Sequence, residues 1–273
     1  MLVSCLLEGP MLLVIDAGNT NIKLGLYEKE KLCSTFRLAT ERQKTDDQFA
    51  VILFSFFQAY NINYSDIDGC IISSVVPPIT APLQLGVKKL LGIDSIVLGA
   101  GIKTGLNIKI DDTSAIGSDI VASCVAAAAF YDCPCIVIGM GTATTISVLD
   151  ETKTMIGGSL IPGVSISLNA LISTSALLPS VSLDAPKKVI GTNTDECMRS
   201  GIVLGSACML DGMIEKIETA LNQSCTLIAT GGIAPTIVTK CKHDIILRDD
   251  LILEGLRLIY VKNQRKHSKA PNV

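Results

Sequence analysis

One strand–turn–strand pattern occurs twice in this chain, and few folds accommodate that. The first copy occupies residues 12–27, from Leu12-Leu13-Val14-Ile15 through Asp16, Ala17, Gly18, Asn19, Thr20 and Asn21 to Ile22-Lys23-Leu24-Gly25-Leu26-Tyr27. The opening run reads as a buried strand, the middle as a tight turn, and the return as a half-buried, alternating strand. The second copy begins at Val137-Ile138-Gly139-Met140-Gly141-Thr142. Val14-Ile15 falls on Val137-Ile138, Gly18 on Gly141 and Leu26 on Leu149, at a constant offset of 123 residues (139 minus 16). One such unit in each half predicts two domains of one α/β fold, each offering a Gly/Thr turn to a shared cleft.

The turn residues suit phosphate. Glycine lets a phosphate approach backbone N–H groups, and Asn19 and Thr20 add side-chain donors. Asp16 repels a phosphate directly but can hold a cation that binds one. Alone, such a turn is more often an ordinary hairpin with an Asx turn; two in register read as a phosphate clamp. Gly139 stands where the first copy has Asp16.

Composition narrows the function. The chain has 273 residues, 48% hydrophobic and 18% charged, which suits two domains with substantial cores and excludes a disordered chain. A net charge of −3 argues against a general nucleic-acid binder, which needs a basic face. Of the 10 cysteines, several sit in apolar runs like reduced core thiols, and Cys133-Pro-Cys135 lacks the second ligand pair of a zinc site. Residues 1–10 have no basic n-region and read as a leader or early start rather than a signal peptide. No run reaches 18 uninterrupted apolar residues, so no transmembrane helix and no membrane partner are expected.

Along the chain, strands are expected near 32–38, 69–76 and 95–98, with a helix capped by Thr45-Asp46-Asp47 running to about Tyr60 and another near 81–91. Gly99-Ala-Gly-Ile-Lys-Thr-Gly105 imitates a P-loop, but Ile102 precedes Lys103 and the following residues read as extended. It is expected to be a glycine loop lining the cleft. Ile116 to Tyr131 reads as a helix with Asp119 in its first turn, either a favourable charge at a helix N-terminus or a catalytic base. The second half repeats the order, with strands at about 135–139, 143–149 and 153–158 and a helix from about 165 to 174. Gly191-Thr-Asn-Thr194 opens a helix to about Leu221, loosened at Gly201 and Gly205. A strand at 225–229 ending in Thr230-Gly231-Gly232, a strand at 244–247 and a helix at about 250–262 follow. A Rossmann reading of Gly139–Thr144 fails because a strand, not a helix, follows it.

Together these segments resemble the type III pantothenate kinases of the acetate and sugar kinase/Hsp70/actin superfamily. The carriers, in order, are Asp16–Lys23, Ser73-Ser-Val-Val-Pro-Pro78, Gly101–Ile108, Gly117-Ser-Asp119, Gly141–Thr145, Pro162-Gly163, Gly191–Thr194, Thr230–Gly232 and Leu251–Asn263, so the resemblance spans residues 11–263. It implies two duplicated RNase H-like (actin-like ATPase) domains, assigned to 11–125 and 126–263, with a flexible tail at 264–273 and ATP between the domains. The implied reaction is ATP-dependent phosphorylation of pantothenate. Asp16, Ala17, Gly18, Asn19, Thr20, Asn21, Ile22, Lys23 and Thr142 would bind ATP, with Mg²⁺ near Asp16. Gly117, Ser118, Asp119, Ile120 and Thr194 would meet pantothenate, and Asp119 would accept the hydroxyl proton. A cytoplasmic homodimer is implied, each pocket being completed by the partner.

The chain departs from the family pattern at four places. Gly139 replaces the aspartate that holds a monovalent cation (K⁺ or NH₄⁺), Ile120 replaces an arginine, and Thr174 and Ile110 stand where relatives commonly carry Arg and Tyr. Two further readings follow: an impaired member that binds nucleotide or pantothenate in a regulatory role, and a kinase for another small alcohol.

Overall fold

The computed structural model describes residues 10–113, 116–175 and 177–264; the leader before residue 10 and the tail after Gln264 lie outside the described residues. By its contacts the chain forms two compact units. One comprises residues up to Gly105, 114–126 and 252 onward; the other comprises 106–113 and 127–251. One of the divisions falls between Ala126 and Ala127. The last helix, however, packs with the first unit, and 106–113 packs with the second.

The first unit is built on a five-stranded sheet of β1 (Met11–Ala17), β2 (Asn21–Glu28), β3 (Lys31–Ala39), β4 (Ile67–Ser74) and β5 (Ile96–Val97), ordered β3-β2-β1-β4-β5. β1 is central, antiparallel to β2 and parallel to β4. All but one of its residues are buried, as a strand covered on both faces requires. α1 (Asp46–Ala59) starts at Thr45, whose side chain accepts from Gln48 N in a capping box. Its Phe49, Leu53 and Phe57 join Ile15, Leu24 and Ile72 in the core. α2 (Pro77–Leu91) begins about four residues earlier than its apolar pattern suggests. Proline needs no N–H partner in a first helical turn, so the prolines open this helix instead of preceding it. α3 covers Ser118–Phe130.

The second unit holds β6 (Asn107–Ile108), β7 (Cys135–Met140), β8 (Ala143–Leu149), β9 (Thr154–Pro162), β10 (Thr226–Thr230) and β11 (Ile246–Leu247), ordered β11-β10-β7-β8-β9-β6. Read from the other edge, β9-β8-β7-β10-β11 reproduces the first sheet, and β6 is an added parallel strand. The duplication therefore extends to whole sheets. The helices are α4 (Val164–Thr174), α5 (Thr194–Arg199), α6 (Gly205–Leu221) and α7 (Ala234–Val238), a short helix after Gly231-Gly232 that the sequence pattern does not signal. Between α5 and α6 the helix widens to a π turn over Ser200–Leu204, at the glycines expected to loosen it. Thr194–Leu221 is the one helical run among the described residues long and apolar enough to cross a membrane, yet its Met198, Val203, Ala207, Leu210 and Ile214 are buried in the protein core. α8 (Leu251–Gln264) returns to the first unit, where Arg257 pairs with Glu254 at 3.1 Å and lies over the Tyr27 ring.

Pairing corrects one detail of the repeat. Asp16 is the penultimate residue of β1 and faces Lys23 on β2 and Ser73 on β4. Gly139 is the penultimate residue of β7 and faces Thr145 on β8 and Thr230 on β10. The two positions are equivalent, so the offset of 123 holds on the outgoing strand. On the return strand Leu12 faces Tyr27 and its equivalent Cys135 faces Leu149, so Tyr27, not Leu26, matches Leu149. The second turn is one residue shorter.

Candidate functional site

In the first unit, four side chains from three elements converge. β1 carries Asp16 to the end of the sheet, beside Ser73 in the parallel register with β4. The Ser73 hydroxyl, beside Asp16, favours its ionised form, and its Oγ lies 2.8 Å from Ser118 Oγ at the start of α3. Asp119 follows, its Oδ1 accepting from Ile120 N at 2.9 Å. Asp119 Oδ1 occupies the space a side chain at Gly117 would need, so that close approach demands glycine. Asp16, Gly117, Ser118, Asp119 and Ile120 thus belong to one locality. Ser73 is the member that sequence reasoning missed as a site residue; its place in the Ser-Ser-Val-Val-Pro-Pro segment was the available signal.

Electrostatics mark the site. Burial and then the negative charge of Asp119 push the Asp16 carboxyl up to about 7, with Ser73 and Lys23 opposing the shift. Burial also raises Asp119, against the stabilising N–H of Ile120. Paired, buried, mutually repelling carboxylates are a donor set that a hard divalent cation satisfies, so Mg²⁺ fits Asp16.

The turn between β1 and β2 is held open as a loop. Gly18 N donates to Asn21 O at 3.0 Å, and Thr40 Oγ1 donates to Gly18 O at 2.6 Å. Thr40 N donates to Thr20 O, and Arg42 Nη2 reaches Asn19 Oδ1 at 3.4 Å, placing an exposed guanidinium at the turn. The sequence reading did not single out Arg42. Ala17, Asn21, Ile22 and Lys23 flank the loop in β1 and β2.

In the second unit, Gly141 N donates to Ala143 O across the shorter turn that bears Thr142. A Cβ at Gly139 would stand 2.6 Å from Thr145 Oγ1. The Thr145 hydroxyl therefore adjoins the position, and Gly139 itself offers no carboxylate. A monovalent cation held by a carboxylate does not fit this slot. Thr194, first residue of α5, lies in a pocket of about 520 Å³. Leu171, Leu178, Met198 and Ile202 form its apolar wall, with Thr192 and Asn193 beside Thr194. Asn193 caps α5 by accepting from Glu196 N. Of the other departures, Thr174 Oγ1 bonds back to Ala170 O, and Ile110 is partly buried. The glycine loop 99–105 runs into β6, not a helix, and Asn263 clamps it by donating to Lys103 O at 3.0 Å and accepting from Lys103 N at 3.3 Å.

Comparisons with known proteins agree with this arrangement. The chain is 43% identical to the type III pantothenate kinase of Halalkalibacterium halodurans, over 93% of this chain and 100% of that protein. It is 41% identical to that of Roseiflexus castenholzii, over 93% and 100%. Among solved structures it resembles component A of (R)-2-hydroxyglutaryl-CoA dehydratase from Acidaminococcus fermentans, with a TM-score of 0.54 at 12% identity over 96% of this chain and 100% of that one. Ethanolamine utilization protein EutJ from Carboxydothermus hydrogenoformans gives a TM-score of 0.53 at 12% identity, over 93% and 91%. At such identities these two likenesses concern the fold alone. The type III pantothenate kinase family profile matches residues 12–216. With that match and relatives above 40% identity along nearly the whole chain, this protein belongs to the type III pantothenate kinase family.

Proposed function

We propose that this protein transfers the γ-phosphoryl group of ATP to the primary hydroxyl of pantothenate, the opening step of coenzyme A biosynthesis. The observation that carries the reading is the Asp16–Ser73–Ser118–Asp119 cluster, in a chain of this family. Residues 16–23 and Thr142 serve as ATP ligands. Asp16 holds Mg²⁺, whose charge neutralises that developing on the phosphoryl oxygens. Gly117–Ile120 and Thr194 receive pantothenate. Asp119 orients the hydroxyl and takes its proton, a task suited to a carboxyl that burial makes more basic than usual. Its bond to Ile120 N steadies the carboxylate without consuming all its acceptor sites. We place the protein in the cytoplasm as a homodimer, with no nucleic-acid or membrane partner. The apolar side chains of Leu160, Leu177, Val189 and Ile190, exposed by 74% or more in the second unit, support self-association.

ADP release with pantothenate as acceptor tests the reading. Asp119→Asn is expected to lower turnover by roughly 10²–10⁴-fold with the fold intact. A variant near the parental rate assigns Asp119 to helix capping alone. A parent that binds ATP or pantothenate but releases no ADP supports the regulatory reading instead, to which the replacements at Gly139 and Ile120 point.

A further inference from the structure

Ser73 of the Ser73-Ser-Val-Val-Pro-Pro78 segment belongs to the cluster above but has been given no role of its own, and the segment's two serines do different work. Ser74 braces the approach to α2: its Oγ accepts from Val76 N at 3.2 Å and from Thr80 Oγ1 at 2.8 Å. Ser73 points elsewhere. It is fully buried, registers with Asp16 across the parallel β1–β4 ladder, and meets Ser118 on α3. Either hydroxyl can be the donor in the 2.8 Å contact between Ser73 and Ser118. Ser118 has a second, weaker acceptor in Ser74 O at 3.4 Å. The result is a path of three side chains, Asp16, Ser73 and Ser118. It joins the carboxylate at the end of β1 to the residue that precedes Asp119.

We propose that Ser73 is a positioning residue for phosphoryl transfer: its buried hydroxyl ties Asp16 to Ser118, setting the nucleotide carboxylate and the acceptor segment 117–120 in one fixed relation. This rests on the roles given to Asp16 and Gly117–Ile120 above. A buried hydroxyl bonded on both sides holds each partner in one rotamer, and a fixed relation between reacting groups is what an in-line transfer requires. Neither partner has a substitute for it along this path. Removing the hydroxyl leaves Asp16 without its β4 donor and frees Ser118 to turn to Ser74 O.

Steady-state kinetics of Ser73→Ala, with Ser73→Thr as the hydroxyl-restoring control, test this. Alanine is smaller and apolar, so the fold should survive, which thermal melting checks. Ser73→Ala should raise KM for ATP and KM for pantothenate together, each by roughly five- to tenfold, the weight of a typical lost hydrogen bond, with a smaller fall in kcat. Ser73→Thr should recover at least half of that loss. If threonine's extra methyl prevents folding, Ser73→Cys, of serine's size with a weaker donor, should fall between parent and alanine. A purely structural Ser73 would lower the melting temperature and leave both KM values within twofold, which overturns the proposal. So does a rise in only one KM. Asp16→Asn, assayed alongside, separates the two levels of inference. If it retains full activity, the nucleotide-site assignment fails; if it is inactive while Ser73→Ala is normal, only the positioning role fails.

Discussion

Asp16 shows how a single residue can be costly to the fold and necessary to the site. Its carboxyl titrates at about 7 in the folded protein against an ordinary 3.8. The folded state therefore holds this proton more tightly than the unfolded chain does. The stability contributed by the group is complete below about pH 4 and is lost as pH rises through its folded value near neutrality. Asp16→Asn should accordingly be more stable than the parent in metal-free buffer at pH 8, by up to about 4 kcal/mol, and the two should converge towards pH 4. Denaturant titrations at both pH values check this, and a variant less stable at pH 8 than at pH 4, relative to the parent, contradicts it. The same substitution should abolish ADP release. Stability would thus be gained by removing the group that the chemistry needs.

Among the elements, the two hairpins divide a common design. In the first, the penultimate strand position carries a carboxylate between Lys23 and Ser73; in the second it carries Gly139 between Thr145 and Thr230. We predict little stimulation of the parent by K⁺. Gly139→Asp alone must first displace Thr145 Oγ1, which stands 2.6 Å from the new Cβ, so K⁺ stimulation should emerge fully only when Thr145→Ala accompanies it. K⁺ titrations of ADP release in parent, single and double variants decide; strong activation of the parent would show that the glycine is no handicap. These hairpins were legible in the sequence because a period-two pattern ending in Gly and small polar residues has few other solutions. So were α1, through Thr45-Asp46-Asp47, and the weakened helix at Gly201. The one-residue shortening of the second turn was missed although the sequence carries it: at an offset of 122 Leu24, Leu26 and Tyr27 fall on Ile146, Val148 and Leu149, whereas at 123 Leu24 falls on Ser147 and Tyr27 on Asp150. The start of α2 was misjudged because prolines read as a stop when they open a helix. Asp16 was read as a candidate from its place at the turn, Asp119 from its place in the first turn of a helix, and Gly117 from the family resemblance. Ser73 was not: its role depends on β4 lying beside β1, a contact 57 residues away along the chain (73 minus 16).

For the whole molecule, the decisive quantity is association. The exposed side chains of Leu160 (74%) and Ile190 (80%) touch little within their own unit, so charging them should spare the fold while disfavouring self-association. Sedimentation should find the parent as a dimer, and Leu160→Glu/Ile190→Glu shifted towards monomer. A parent that remains monomeric at micromolar concentration removes the homodimer from the proposal.

The chain passes between its two units at 105/106, 113/114, 126/127 and 251/252, and α8, nearly the last described segment, belongs to the unit that began with β1. On the ribosome this has a cost in time. Every residue of the second unit emerges before Arg257 and Glu254 can reach Tyr27, so the first unit waits, with that apolar flank uncovered, until α8 has been made. At ~5–20 residues per second the interval from Ala126 to Arg257 lasts several seconds or more, long compared with the folding of small domains. The nascent first half is then the stretch on which a trigger-type chaperone would act, and the second unit, complete by Leu251, is the part able to fold first despite being made later.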